Sequence, residues 1–280
     1  MKPEYYALRF DMGDHDPEIW LARLSEWPFE SFHEEGNVIT GYIHRHDIRE
    51  DMMQFISGEA GVSFEDYEMN QVPDQNWNQV WESSFNPVAV DDYCYIHAVF
   101  HGAAPKAFKH EVVIAPRMAF GTGHHATTYM MLQAMSGLLI EGKRVLDFGC
   151  GTGILSVVAA MEGAVEVIGI DIQPEAIENS EEHAVLNHVS PVCHFYLGDL
   201  SLAGSAPYDF ILANINRNVI LQNFMALDHL LKPGGELLIS GIMFDDVTMV
   251  KEELLKHELQ ITAHRERDQW VQMTVKKTSP

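Results

Sequence analysis

Basic residues are scarce in this chain. Its 280 residues hold 18 Lys and Arg against 41 Asp and Glu, a formal net charge of −23. So acidic a surface repels phosphate backbones, because nucleic-acid affinity comes largely from Lys and Arg displacing counterions. Direct nucleic-acid binding is therefore not expected. The imbalance is concentrated: residues 1–84 carry 18 acids and 5 bases, a balance of −13. Such a segment attracts a basic protein and steers its encounter. Acidity also simply keeps a protein in solution, and charge alone does not choose between the two. Cysteine is rare as well. Cys94, Cys150 and Cys193 are odd in number, widely spaced and fit no disulfide framework, which points to a reducing, cytoplasmic compartment. No apolar run approaches the ~20 residues that cross a bilayer, and the start, Met1 to Tyr6, lacks the apolar stretch of a signal peptide. No membrane partner is expected. The 15 histidines are scattered, with no H-E-x-x-H or Cys/His spacing, so no metal site is expected either.

What is present is patterned. Residues 1–70 read as a unit of their own. Tyr5 to Phe10 alternate like a strand, and Ile19, Leu21 and Leu24 recur at helical spacing. Trp27 to His33 and Asn37 to His44 look like a hairpin through Glu35-Gly36. Asp47 is placed to cap a second helix bearing Ile48, Met52, Phe55 and Ile56, and Val62 to Met69 would be the last strand. That order, β-α-β-β-α-β, predicts a small α+β domain of the split βαβ, ferredoxin-like kind. Residues 71–84, with Trp77, Val80 and Trp81, predict a helical linker. From residue 85 to 280 a longer unit follows. Its second half alternates strand and helix from Val145 to Ile242, which predicts a doubly wound, mainly parallel α/β sheet. Gln260–Glu266 and Trp270–Val275 predict a closing hairpin through Arg267-Asp268-Gln269.

The strongest local signal is Val145-Leu146-Asp147-Phe148-Gly149-Cys150-Gly151-Thr152-Gly153-Ile154-Leu155. An apolar strand runs into three glycines at alternate positions and then into an apolar helix. In a doubly wound sheet ligands bind beyond the carboxyl ends of the strands, where this turn lies. Glycines let backbone approach a ligand closely. Nicotinamide dinucleotide folds use G-x-G-x-x-G. Here Gly149 and Gly151 match the first two positions, but Ile154 stands at the third. The spacing G-x-G-x-G favours S-adenosylmethionine, whose ammonium Asp147 would suit. Val167 to Ile170 then ends in Asp171, a carboxylate placed to accept both ribose hydroxyls from the neighbouring strand.

Two further segments bear on the chemistry. After the fourth strand comes Ala213-Asn214-Ile215-Asn216, where an amide oxygen can accept a hydrogen bond from an amine and aim its lone pair. Asn214 is the candidate catalytic residue, and Asn216 a candidate cap for the helix that follows. Upstream, Met118 to Thr128 combines two glycines, two histidines and two threonines. Thr127 or Thr128 would cap the next helix, and Phe120 is a candidate cation–π partner for a sulfonium.

Taken together, Ala119-Phe120-Gly121-Thr122-Gly123-x-His125-x-Thr127-Thr128, Asp147-Phe148-Gly149-Cys150-Gly151 and Ala213-Asn214-Ile215 resemble the bacterial ribosomal-protein methyltransferase PrmA family. The likeness is clear over roughly residues 77–245 and rests on architecture alone for residues 1–70. Ala126 departs from it, standing where relatives often have Pro. The resemblance implies a substrate-recognition domain, a helical linker and a catalytic domain of the S-adenosylmethionine-dependent methyltransferase fold. It implies cofactor contacts at Thr128, Gly149, Asp171 and Asn214. It also implies a basic protein substrate, large-subunit ribosomal protein eleven, methylated on its N-terminal α-amine and lysine ε-amines. The alternatives are methylation of another protein or small-molecule amine, and a non-catalytic S-adenosylmethionine-binding protein.

Overall fold

Period-two alternation in the first unit produces a sheet with one buried face. The computed structural model describes residues 5–11, 24, 27–29, 31–35, 38–49, 52, 67–71, 86–115, 123–257 and 259–278. The chain divides into two compact units, Met1–Ser83 and Ser84–Pro280. In the first, β1 (Tyr5–Asp11), β2 (Ser31–Glu35), β3 (Val38–His44) and β4 (Tyr67–Gln71) form an antiparallel sheet in the order β2-β3-β1-β4. Leu8 and Phe10 of β1 and Ile39 and Ile43 of β3 pack with Leu24 and Met52, both in helical conformation. Most of the two expected helices, and residues 72–84 of the expected linker, lie outside the described residues.

Three details differ from the sequence reading. β2 starts at Ser31, not Trp27, because Trp27 N–H donates back to Leu24 O and Phe29 N–H to Trp27 O, curling the chain before the strand. Asp47 closes a short 3-10 turn, Arg45–Asp47, and Ile48 after it is extended, not helical. The last strand, described over Tyr67–Gln71, runs past the expected end at Met69.

The second unit opens with a small sheet the sequence reading did not resolve. β5 (Val88–Val90) and β6 (Cys94–Ala98) pair antiparallel, and β7 (His110–Ile114) pairs parallel to β6. Then comes α1 (Ala126–Met135), followed by the alternation that builds the main sheet. Its members are β8 (Arg144–Phe148), α2 (Ile154–Met161), β9 (Glu166–Asp171), α3 (Pro174–Leu186) and β10 (Cys193–Leu197). They continue as β11 (Tyr208–Asn214), α4 (Arg217–Leu230), β12 (Leu231–Met243), α5 (Val247–Leu254), β13 (Leu259–Arg267) and β14 (Trp270–Lys277).

The seven strands lie in the order β10-β9-β8-β11-β12-β14-β13. β10 to β12 are parallel, and β14 runs antiparallel between β12 and β13. The hairpin turns through Asp268 and Gln269, both at positive φ, as a two-residue turn matched to strand twist requires. Strands buried on both faces read as unbroken apolar runs. Leu146, Ile170, Ile211, Leu237 and Ile239 are fully enclosed between the helical layers. Each such side chain stabilises by roughly 1.5–3 kcal/mol relative to exposure. Strand order reverses between β8 and β11, so a crevice opens at their carboxyl ends. Among the described residues no helix is long and apolar enough to cross a membrane. The three cysteines are buried and free.

Candidate functional site

The crevice at the strand-order reversal gathers the residues singled out from sequence. β8 ends at Phe148, and the chain turns through Gly149, Gly151 and Gly153, all at positive φ, into α2. Gly149 lies at φ +75, and a Cβ there would overlap Ile215 Cγ2. Gly241, at φ +82, lies against the backbone of the same Ile215. The turn after β11 is therefore threaded between two glycines, one on the β8 loop and one in β12. Only residues without a side chain leave that passage.

Asp147, at the end of β8, is fully buried. Its Oδ2 accepts from Ser156 N–H at 3.1 Å and Ser156 Oγ at 2.7 Å. Burial pushes its carboxyl up to about 7, outweighing the two Ser156 bonds, with the Asp171 charge adding to the rise. Asp147 Oδ1 has no partner. Asp171 ends β9, where its Oδ2 accepts from Gly151 N–H at 2.9 Å and its Oδ1 from Gln173 N–H at 3.0 Å. The second carboxylate is thus fastened to the glycine loop, and each oxygen keeps acceptor capacity for a hydroxyl.

On the other side of the crevice, Asn214 ends β11. Its Nδ2 donates to Thr128 Oγ1 at 3.3 Å, and its Oδ1 is buried without a partner. Thr128 is itself buried in the first turn of α1. Here the expected cap is corrected. His125 caps α1, its Nδ1 accepting from Thr127 N–H at 3.3 Å, so both threonines belong to the helix proper. Asn216 does cap α4, its Oδ1 accepting from Val219 N–H at 3.0 Å. Phe120 lies outside the described residues, so its proposed contact has no structural counterpart here.

His125 also meets Trp270 edge-on, ring centroids 5.0 Å apart. Trp270 lines an open cleft of about 550 Å³ between the end of β12 and the β13–β14 hairpin, with Phe244, Asp245, Glu266 and Asp268 on its walls. Arg267 stacks over Tyr129 of α1 at 3.9 Å. Sequence reasoning missed Trp270 and Tyr129. An exposed-looking aromatic after a tight turn was the one available signal.

Buried acceptors are normally satisfied within the protein. Asp147 Oδ1 and Asn214 Oδ1 are not, and they stand at the carboxyl ends of β8 and β11, the two strands at which strand order reverses. That donor demand fits an amino-acid nucleoside with an ammonium group, whose ribose hydroxyls the remaining Asp171 lone pairs can accept. Among the described residues no group of three or more His, Cys, Asp or Glu is placed to hold a metal ion.

Comparison with known proteins shows the family. Residues 21–278 match the family model described as ribosomal protein L11 methyltransferase (PrmA). A ribosomal protein L11 methyltransferase from Bacteroides fragilis is 36% identical over 277 residues, covering 95% of this chain and 97% of that protein. Its counterpart from Porphyromonas gingivalis is 36% identical over 290 residues, covering 99% of each. Among solved structures, a ribosomal protein L11 methylase from Lactobacillus delbrueckii subsp. bulgaricus superposes with a TM-score of 0.65 at 24% identity. That match covers 69% of this chain and all of that one, a likeness of fold.

Proposed function

The chain belongs to the ribosomal protein L11 methyltransferase family, and on that premise we propose that it methylates amines of ribosomal protein L11, at the N-terminal α-amine and at lysines. The methyl donor is S-adenosyl-L-methionine. The observation that carries the reading is Asn214 Oδ1, a buried, unpartnered acceptor at the strand-order reversal. It is an acceptor that an amine N–H would satisfy.

Bound S-adenosylmethionine supplies a methyl group already attached to a sulfonium leaving group, so the protein's work is to bind, orient and exclude water. Asp147 and the glycine loop receive the amino-acid end, and Asp171 receives the ribose hydroxyls. Phe120 remains a candidate to face the sulfonium. Asn214 Oδ1 accepts from the attacking amine and fixes its direction, while Thr128 holds the Asn214 amide in place. Only a neutral amine attacks. For a lysine of pKa about 10.4, deprotonation at pH 7.5 costs roughly 4 kcal/mol; for an α-amine near 8 it costs under about 1. No side chain at the crevice stands out as a dedicated base, so water takes the proton.

Residues 1–70 are proposed as the substrate-recognition domain, joined by a linker over 71–84 to the catalytic domain at 85–280. Their acidity suits a basic ribosomal protein. The cleft beside Trp270, with three carboxylates on its walls, is proposed to take the amine-bearing segment. The reading leaves nucleic acid and membrane without a role and places the reaction in the cytoplasm. The test is to incubate the protein with methyl-labelled S-adenosylmethionine and purified L11. Label transferred to L11 supports the proposal. Cofactor binding without transfer would contradict the assigned substrate.

A further inference from the structure

α3 turns an unusual face inward. Ser180, His183 and Asn187 follow at helical spacing and are 0%, 2% and 9% exposed. A buried helix face is ordinarily apolar, and polar groups persist there only when hydrogen-bonded. Each of the three has a backbone partner. Ser180 Oγ donates to Gly151 O at 2.9 Å. Asn187 Oδ1 accepts from Val113 N–H at 2.8 Å while its Nδ2 donates to Val113 O at 2.7 Å. The Asn187 side chain thus pairs with β7 as a neighbouring strand would.

His183 joins these two attachments. Its Nδ1 lies 2.7 Å from Thr152 O in the glycine loop. A carbonyl oxygen only accepts, so Nδ1 carries the proton. Nε2 meets the backbone of Ala115, the residue directly after β7, lying 3.1 Å from its N–H nitrogen and 3.2 Å from its carbonyl oxygen.

We propose that His183 is a positioning residue for the cofactor-binding glycine loop, holding the Thr152 carbonyl and tying that loop to the end of β7. The proposal rests on the reading that this loop receives S-adenosylmethionine. Its physical basis is the planar peptide bond. A carbonyl held toward α3 fixes the whole peptide plane, and the Gly153 N–H of that plane closes the loop turn on Cys150 O at 2.8 Å. Ser180 and His183 fix two successive planes, Gly151–Thr152 and Thr152–Gly153. His183 touches no reacting atom; it acts through the loop backbone. From Ala115 the chain runs on toward the motif that ends at Thr128, so the same ring anchors the start of that segment.

The test separates the two ring nitrogens. Asparagine places an amide nitrogen near the Nδ1 position and keeps the Thr152 bond. Glutamine reaches the Nε2 position, keeps the Ala115 bond and loses Thr152. Affinity for S-adenosylhomocysteine is measured by titration calorimetry, with thermal unfolding of the unliganded protein in parallel and steady-state kinetics for both substrates. His183→Asn is expected to stay within about twofold of the parent affinity. His183→Gln is expected to bind about tenfold more weakly, the equivalent of one lost hydrogen bond, with KM for the cofactor raised and kcat largely retained. Equal affinities for the two variants, or losses that follow thermal stability whichever nitrogen is kept, would overturn the proposal. Nitrogen NMR of the imidazole in the unsubstituted protein provides an arm that needs no variant. A proton on Nδ1 and a response of that resonance to S-adenosylhomocysteine are expected; a proton on Nε2 alone would overturn it. Failure of the unsubstituted protein to bind S-adenosylhomocysteine would instead overturn the cofactor reading beneath it.

Discussion

Asn214 and Thr128 meet across 86 positions of sequence, the Asn214 amide nitrogen donating to the Thr128 hydroxyl at 3.3 Å. The bond fixes which way the amide faces and leaves Oδ1 as a buried acceptor with nothing to accept from. Removing the acceptor should cost turnover more than binding. Asn214→Ala is expected to lower kcat by about 10²-fold, the scale of misplacing a reacting group. Thr128→Val keeps the shape but removes the hydroxyl and should give a smaller loss, about tenfold. Steady-state kinetics with L11 and calorimetry with S-adenosylhomocysteine check both. Unchanged turnover in Asn214→Ala would remove its assigned role.

Asp147 makes a pH-dependent prediction. Burial raises its carboxyl from the ordinary 3.8 to about 7. The folded state therefore holds a proton that the unfolded state has released between those values. The stabilising contribution is fully present below about pH 4 and is lost as pH rises through about 7. The gap corresponds to an upper bound on the order of 4 kcal/mol. Asp147→Asn lacks this dependence, so its stability relative to the parent should climb from pH 4 to pH 8 in denaturant titrations. A ligand ammonium group beside the carboxylate favours the charged form. Saturating S-adenosylhomocysteine should accordingly shrink the difference at pH 8. A flat difference across the range would contradict the burial argument.

The passage of Ile215 between Gly149 and Gly241 sets a steric prediction. Gly149→Ala adds a Cβ at positive φ and against Ile215 Cγ2. It should destabilise by roughly 1–3 kcal/mol and weaken cofactor binding at least tenfold. Ile215→Ala in the same chain relieves the overlap but not the backbone strain, so the double variant should recover part of the affinity. Recovery in full would place the whole cost on the overlap; no recovery would show that Ile215 is not the obstacle.

Much of this architecture was legible because it rests on local rules. The strand–glycine–helix run around Gly149, the carboxylate ending β9 and the turn at Arg267-Asp268-Gln269 each follow from period and turn chemistry. The α1 cap was not legible. Threonine is the commoner capping residue, yet His125 Nδ1 caps the helix and Thr128 sits within its first turn, facing Asn214. Nothing local distinguishes a cap from a partner that the fold brings 86 positions closer.

Tertiary partners also explain the other misses. Trp27 and Phe29 have strand-like composition, but their backbone bonds curl toward Leu24. The polar face of α3 resembles solvent-facing composition until β7 and the glycine loop supply its acceptors and donors. Trp270 gains its ring contact only from His125, which the fold brings to it from a distant element.

That contact gives a prediction for substrate choice. Trp270→Ala should raise KM for L11 several-fold, about the loss of one aromatic contact, while affinity for S-adenosylhomocysteine stays close to the parent value. Asp245→Lys and Glu266→Lys should raise the same KM and flatten its dependence on salt, because exposed charge attraction is screened. Parallel losses in cofactor and protein affinity would show a structural effect instead of a docking one.

The most direct measurement is mass spectrometry of L11 peptides after reaction with S-adenosylmethionine, using the parent protein and Asn214→Ala side by side. Methyl groups on the L11 N-terminal amine and on lysines with the parent, and nearly none with the variant, are the expected result. An unmethylated L11, in a preparation that binds S-adenosylhomocysteine, would contradict the assignment of L11 amines as the acceptor.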